Sequence, residues 1–316
     1  RRAARRYQIP VIPVQAPGFA GTKKTGYKVA CDALGTLLGT GDTAGVPAGG
    51  INILGDFNLA GEIWTIKDYY RRMGIPVIAG ITGDARVDDI RRCHGAALNV
   101  VQCSGSMIHL ARDMQRRFGI PYIQVSYVGM EDTAAALYAV AEHLGNDDAL
   151  TRAEEIARTE IDAVRGELRR LRRELRGRTA ALYTGGAFKA LSLVRALRAL
   201  GMRTVLAGSQ TGSAEDYREL QRLCDPGTVI VDDITSHELG RYLARGETEL
   251  FIGGVKERPL AYKLGVAFCD HNHERKHGLA GFKGMLTFAR EVHASVTSPV
   301  WRFAARRPTT IGEDRR

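Results

Sequence analysis

Long apolar runs are missing from this sequence. Nowhere do the roughly 18 uninterrupted hydrophobic residues of a membrane-spanning helix occur, and the opening RRAARRYQIP lacks the apolar centre of a secretory leader. No membrane partner is expected. Cysteine is also sparse: Cys31, Cys93, Cys103, Cys224 and Cys269 are scattered without a Cys-x-x-Cys pair. That spacing excludes a disulfide framework and suits a reducing, cytoplasmic setting. Proline is scarce, at 10 residues against 36 glycines, and no low-complexity tract occurs, which argues against a fibrous or disordered chain. Acidic residues number 35 against 45 basic ones, giving a formal charge of +10. The excess sits in terminal arginines and in residues 165–178, which carry helical spacing. No nucleic-acid motif accompanies it, so nucleic acid is not an expected partner.

The hydrophobic fraction, 44% over 316 residues, is enough for a sizeable core and for two lobes. Short β-branched runs at residues 51–54, 76–81, 98–102, 122–125, 179–183, 203–208, 228–231 and 249–252 are each followed by a helical pattern. This alternation predicts parallel sheets built from βαβ units. Between the two groups of strands, Ile156, Ile161, Val164, Leu168, Leu171 and Leu175 recur at helical spacing. They predict a long connecting helix over residues 148–176, with Asp147 or Asp148 as its cap and Gly177 just past its end. The expected fold is α/β: two Rossmann-like lobes with parallel sheets joined by that helix, and a C-terminal helical tail. The expected divisions are a remnant of an N-terminal domain (1–46), a first lobe (47–146), the connecting helix (147–177), a second lobe (178–285) and a helical tail (286–316). The chain starts without methionine and soon enters a strand-like run at residues 11–14, so a further upstream segment is expected.

Four segments carry residues suited to chemistry. In LNVVQCSGSM an apolar strand ends on Gln102-Cys103, with a helix expected from about Met107. A cysteine at a helix N-terminus has a lowered pKa and suits a thiophilic metal; the alternative is a small buried hydrophobe. Tyr183-Thr184-Gly185-Gly186-Ala187-Phe188-Lys189 is a strand, a glycine turn and a helix start, whose backbone N–H groups can hold an anion or merely allow close packing. In Gly253-Gly254-Val255-Lys256, a lysine beyond a strand end is either an anion contact or a solvated surface residue. Asp270, His271 and His273, in the segment Phe268–His277, invite a zinc or iron reading, against a loop network of polar groups.

Taken in order, INILGDFNLAGEIW, Thr82-Gly83-Asp84-Ala85, LNVVQCSGSM with FGIPY, LYTGGAFKAL, VDDIT, FIGGVKERPLAYKLGVAF, GFKGMLTFARE and SPVW resemble the nitrogenase component 1 α-type family over nearly the whole chain. The resemblance implies that Cys103 matches the cysteine that binds a terminal iron of the large iron–sulfur cofactor. It also implies that Lys256 matches the lysine at the homocitrate end, and Gly185-Gly186 the backbone lying against the cluster. Two departures stand out. Asn272 replaces the histidine that binds molybdenum, and Phe188, with Lys189 next to it, replaces a nearby arginine.

An amide is a poorer metal ligand than imidazole. The Asn272 departure therefore resembles the cofactor-assembly branch of the family, which holds an eight-iron precursor while molybdenum and homocitrate are installed. On that reading Cys103 anchors the precursor, and His271, Asn272 and His273 line the exchange end, with Gly185, Gly186, Lys189 and Lys256 as further contacts. The resemblance also implies a homologous N-type subunit in a heterotetramer, the nitrogenase reductase (iron protein) and a cluster-donating assembly protein as partners. It implies a four-iron interface cluster only in a longer protein. A nitrogenase catalytic α subunit, a protochlorophyllide reductase subunit and a metal-free Rossmann-like binder of a soluble ligand are the alternatives.

Overall fold

The computed structural model describes residues 2–102, 104–245, 247–271 and 275–303, the side chains of Ser104 and Arg302 excepted. Along the chain come α1 (Arg2–Tyr7), α2 (Lys23–Gly35), β1 (Ile51–Asp56), α3 (Glu62–Met73), β2 (Val77–Thr82), α4 (Val87–Arg92), β3 (Leu98–Val101), α5 (Ser104–Phe118) and β4 (Tyr122–Gln124). Then follow α6 (Met130–His143), α7 (Asp147–Leu175), β5 (Thr179–Thr184), α8 (Ala187–Ala199), β6 (Arg203–Ser209), α9 (Ala214–Leu223), β7 (Val229–Asp232), α10 (Ser236–Leu243), β8 (Leu250–Gly253), α11 (Arg258–Lys263), β9 (Ala267–Asp270) and α12 (Gly281–Val296). The described residues form two compact units. The first holds those up to Phe57 with Gly74–Gln124; the second holds Asn58–Met73 with those from Val125 onward.

In the first unit the sheet order is β2-β1-β3-β4, with every pair parallel. Leu54, Ile81 and Val101 of the strands pack with Met107, Leu110 and Met114 of α5 and Cys31 of α2. Residues 11–14, expected as a strand, form none: Pro10 and Pro13 each remove a ladder donor, and Val11 and Val14 are exposed. Helix α5 begins at Ser104, three residues before the expected start, which brings its first turn directly against the end of β3.

In the second unit the order is β7-β6-β5-β8-β9, again all parallel. Its strands β5, β8 and β9 are buried on both faces, while the edge strand β7 is partly exposed. Along β5, Ala180 and Leu182 enter a core with Leu168 and Leu171 of α7 and Phe288 of α12, while Ala181 and Tyr183 enter a core with Leu239 of α10 and Phe251. Strand β9 falls where a polar loop was expected. Its four residues, ending in a cysteine and an aspartate, are too few and too polar to announce a strand, yet pairing with β8 buries all four. Helix α7 starts one residue earlier than expected, so Asn146 caps it by accepting from the Ala149 N–H at 2.9 Å, in place of Asp147 or Asp148. Gly177, at φ +83°, follows its end as expected.

Candidate functional site

In each sheet the strand order reverses at one point: between β1 and β3 in the first unit, and between β5 and β8 in the second. Open parallel sheets bind ligands outside the carboxyl ends of the strands at such a point. Around the second, the residues after β5, β8 and β9 gather segments that are remote in sequence. Gly185 and Gly186 follow β5, Lys256 follows β8 and His271 follows β9, whose last residue pairs with Gly253.

The glycine turn is held from both sides. Thr184 Oγ1 donates to the Gly186 carbonyl at 2.9 Å, and Thr211 Oγ1 donates to the Gly185 carbonyl at 2.5 Å. Gly186 precedes α8 without capping it through a side chain, and no atom would meet a Cβ there within 4 Å. The first turn of this 13-residue helix thus carries no side-chain cap, and a helix N-terminus of this kind favours an anion. Lys256 is exposed in the turn after β8, and that turn is fixed by buried Glu257, which accepts from the Gly254 N–H at 3.0 Å.

His271 has a different character. It is 1% exposed, its N–H reaches the Gly253 carbonyl at 3.3 Å, and its ring meets Phe288 of α12 edge to face at 5.0 Å. Among the described residues, neither ring nitrogen has a hydrogen-bond partner. Burial holds its pKa well below the usual imidazole range, and the nearby charges of Lys189 and Arg275 lower it further. The ring is thus neutral with a lone pair available, the form that accepts a proton or ligates a metal. Lys189 and His271, both expected at the site, are brought within electrostatic reach.

Beyond His271 the chain is anchored again at Arg275, whose guanidinium bonds the Glu62 carboxylate on α3. The other Glu62 oxygen accepts from the Leu279 N–H at 2.5 Å and the Ala280 N–H at 3.1 Å. Both side chains are almost wholly buried, at 4% and 10% exposure. No local signal in the sequence marks Glu62 for this task, because its partner lies 213 positions away. Asp270, read as a candidate ligand, faces Arg258 at 3.3 Å. Cys269 and Glu291, neither singled out as a ligand from sequence, approach His271; Cys269 stands two positions before it, within β9.

Cys103, Asn272 and His273 lie outside the described residues. The residue before Cys103 is ordered by the first sheet: the Gln102 N–H donates to the Leu54 carbonyl at 2.8 Å, beyond the last paired residues of β1 and β3.

Residues 1–297 match the family model described as nitrogenase component 1 type oxidoreductase. The chain is 50% identical over 303 residues to the nitrogenase iron-molybdenum cofactor biosynthesis protein NifE of Clostridium pasteurianum, covering 96% of this chain and 66% of that one. It is 44% identical to the protein of the same name from Methanosarcina barkeri, with 97% and 68% covered. The chain thus spans about two thirds of the length of these curated relatives. A solved structure titled "Nitrogenase Cp1 at pH 5" superposes with a TM-score of 0.87 at 26% identity, covering 96% of this chain and 67% of that one.

Proposed function

The chain belongs to the nitrogenase component 1 type oxidoreductase family, and from that membership we propose that it is a scaffold subunit for maturation of the iron–molybdenum cofactor of nitrogenase. Its cargo is an iron–sulfur precursor, anchored through the Cys103 thiolate at the end of β3. Gly185, Gly186, Lys189 and Lys256 meet the anionic parts of the cargo. His271, Asn272 and His273 border the end where molybdenum and homocitrate are installed. The observation that carries the reading is the convergence of three family segments on the carboxyl ends of β5, β8 and β9, flanking the strand-order reversal.

A scaffold must protect a sulfide cluster yet release it. One fixed thiolate with weaker partners at the far end meets both needs, because thiolate is the soft donor that iron–sulfur clusters prefer and an amide is a weak one. The α8 N-terminus and the two lysines supply positive potential toward an anionic cluster and a polycarboxylate without fixing either covalently. The names of the relatives support this reading over a catalytic one, as does an asparagine at position 272. The proposed partners are a homologous N-type subunit completing a heterotetramer, a cluster-donating assembly protein and the nitrogenase reductase.

The test is anaerobic purification of the full-length protein with its homologous subunit, comparing iron content and cluster spectra of the wild type and Cys103→Ala. Several irons lost in the variant are expected. Equal iron in both would make the cysteine structural and sink the assignment, and acetylene reduction by the complex at nitrogenase rates would replace the scaffold by a catalytic subunit.

A further inference from the structure

We propose that Cys269, His271 and Glu291 form a binding site for a single borderline divalent cation of the Fe2+ or Zn2+ class, built between β9 and α12. A thiol sulfur, a ring nitrogen and a carboxylate oxygen, one from each residue, all lie within 4.8 Å of one another. The second observation is independent of that clustering. His271 is 1% exposed, yet both of its ring nitrogens lack any hydrogen-bond partner among the described residues. A buried imidazole left without partners on both sides is costly unless a ligand completes it.

The donor set selects the ion. Sulfur with nitrogen and one carboxylate oxygen suits a borderline cation, whereas Mg2+ and Ca2+ require oxygen throughout. Around a tetrahedral ion such donors stand about 3.5 Å apart, so side-chain rotations of about 1 Å close the site. On binding, the Cys269 S–H bond breaks and a sulfur–metal bond forms. The proton passes to solvent, as does any proton on Glu291, and no electron is transferred. One thiolate and one carboxylate then balance the two positive charges, which is what allows a divalent ion to sit in so buried a place. Ser295 Oγ lies 3.1 Å from Cys269 Sγ and is placed to donate to the thiolate. Three protein ligands leave a fourth position open. Cys269 lies in β9 and His271 follows its last residue, and α12 brings Phe288 against the ring and Glu291 against the donors.

The inference shares His271 with the scaffold reading but does not require Cys103 to hold a cluster. The experiment is therefore run in Cys103→Ala protein, chelator-stripped under anaerobic conditions and titrated with Co2+. One equivalent is expected to bind with an intense thiolate-to-cobalt charge-transfer absorption. Cys269→Ser should abolish that absorption, and Glu291→Gln should weaken binding by about tenfold or more. An absorption that persists unchanged in Cys269→Ser overturns the proposal. Because Cys269 is a core residue whose replacement can disturb folding, unsubstituted crystals soaked in Zn2+ supply a second reading. An anomalous peak between residues 269, 271 and 291 supports the site, and a peak only elsewhere, or none, refutes it.

Discussion

His271 is a base kept from its proton by burial and by two neighbouring cations, Lys189 and Arg275. The unfolded chain takes up a proton at this residue below about pH 6.5 and the folded chain does not, so the native state binds fewer protons there. Its contribution to stability is therefore flat above that pH and declines as pH falls below it, by up to about 1.4 kcal/mol per unit. Burial pushes the Cys269 thiol up to about 12 and also raises the Glu291 carboxyl, whose contribution runs the other way as pH falls; comparison with His271→Gln, in which Glu291 is retained, separates the two. Urea midpoints measured from pH 7.5 to 5.5 should fall more steeply for the wild type than for His271→Gln; parallel curves would remove the effect. Glu62 is the second residue whose worth exceeds its visibility. Removing one partner of a buried ion pair leaves an uncompensated charge, so Glu62→Ala should cost about 3–5 kcal/mol in the second unit. Amide hydrogen exchange at Leu279 and Ala280, which Glu62 holds directly, should accelerate in step. Unchanged exchange there would mean that the loop is fixed by other contacts. Neither role was legible in the sequence, because each depends on elements that meet only after folding.

Among the elements, the first eight strands were legible because each is a short strand-forming run followed by a helical pattern, the signature of parallel sheets built from βαβ units. The failures were those where local composition misled. Residues 11–14 have strand-forming valines between prolines that cannot donate, while β9 has strand geometry but ends in polar residues. The glycine turn after β5 was also legible, since its signal, a strand running into paired glycines and a helix, lies within one short stretch. The start of α7 shows the resolution of such reading. Asn146 and two aspartates compete to cap it; the asparagine wins, and Asp147 and Asp148 fall in the first turn, where the helix dipole favours them. Asn146→Ala should destabilise the second unit by about 1 kcal/mol, seen as a lower urea midpoint with an unchanged slope. A loss under a few tenths would show that the hydrogen bond adds nothing beyond what water supplies.

At the scale of the molecule, the proposed assembly makes a definite expectation. Coexpressed with a homologous subunit, the full-length protein should elute with the mass of two copies of each chain by light scattering. Separate elution of the two proteins would count against the heterotetramer. Within the chain itself, α3 has a consequence for how the protein comes to be folded. It lies in sequence between β1 and β2 of the first unit, yet it belongs to the second, where Arg72 pairs with Glu160 of α7 at 2.7 Å and Tyr70 bonds Tyr127. No single cut in the polypeptide can therefore release either unit whole. During synthesis α3 leaves the ribosome well before α7 and α12, so Ile63, Ile66, Tyr69, Tyr70 and Met73, all buried at the end, wait uncovered while about a hundred further residues are made, roughly 5–20 seconds at ordinary elongation rates. Helix α3, which carries Glu62, is thus translated before the elements that bury it.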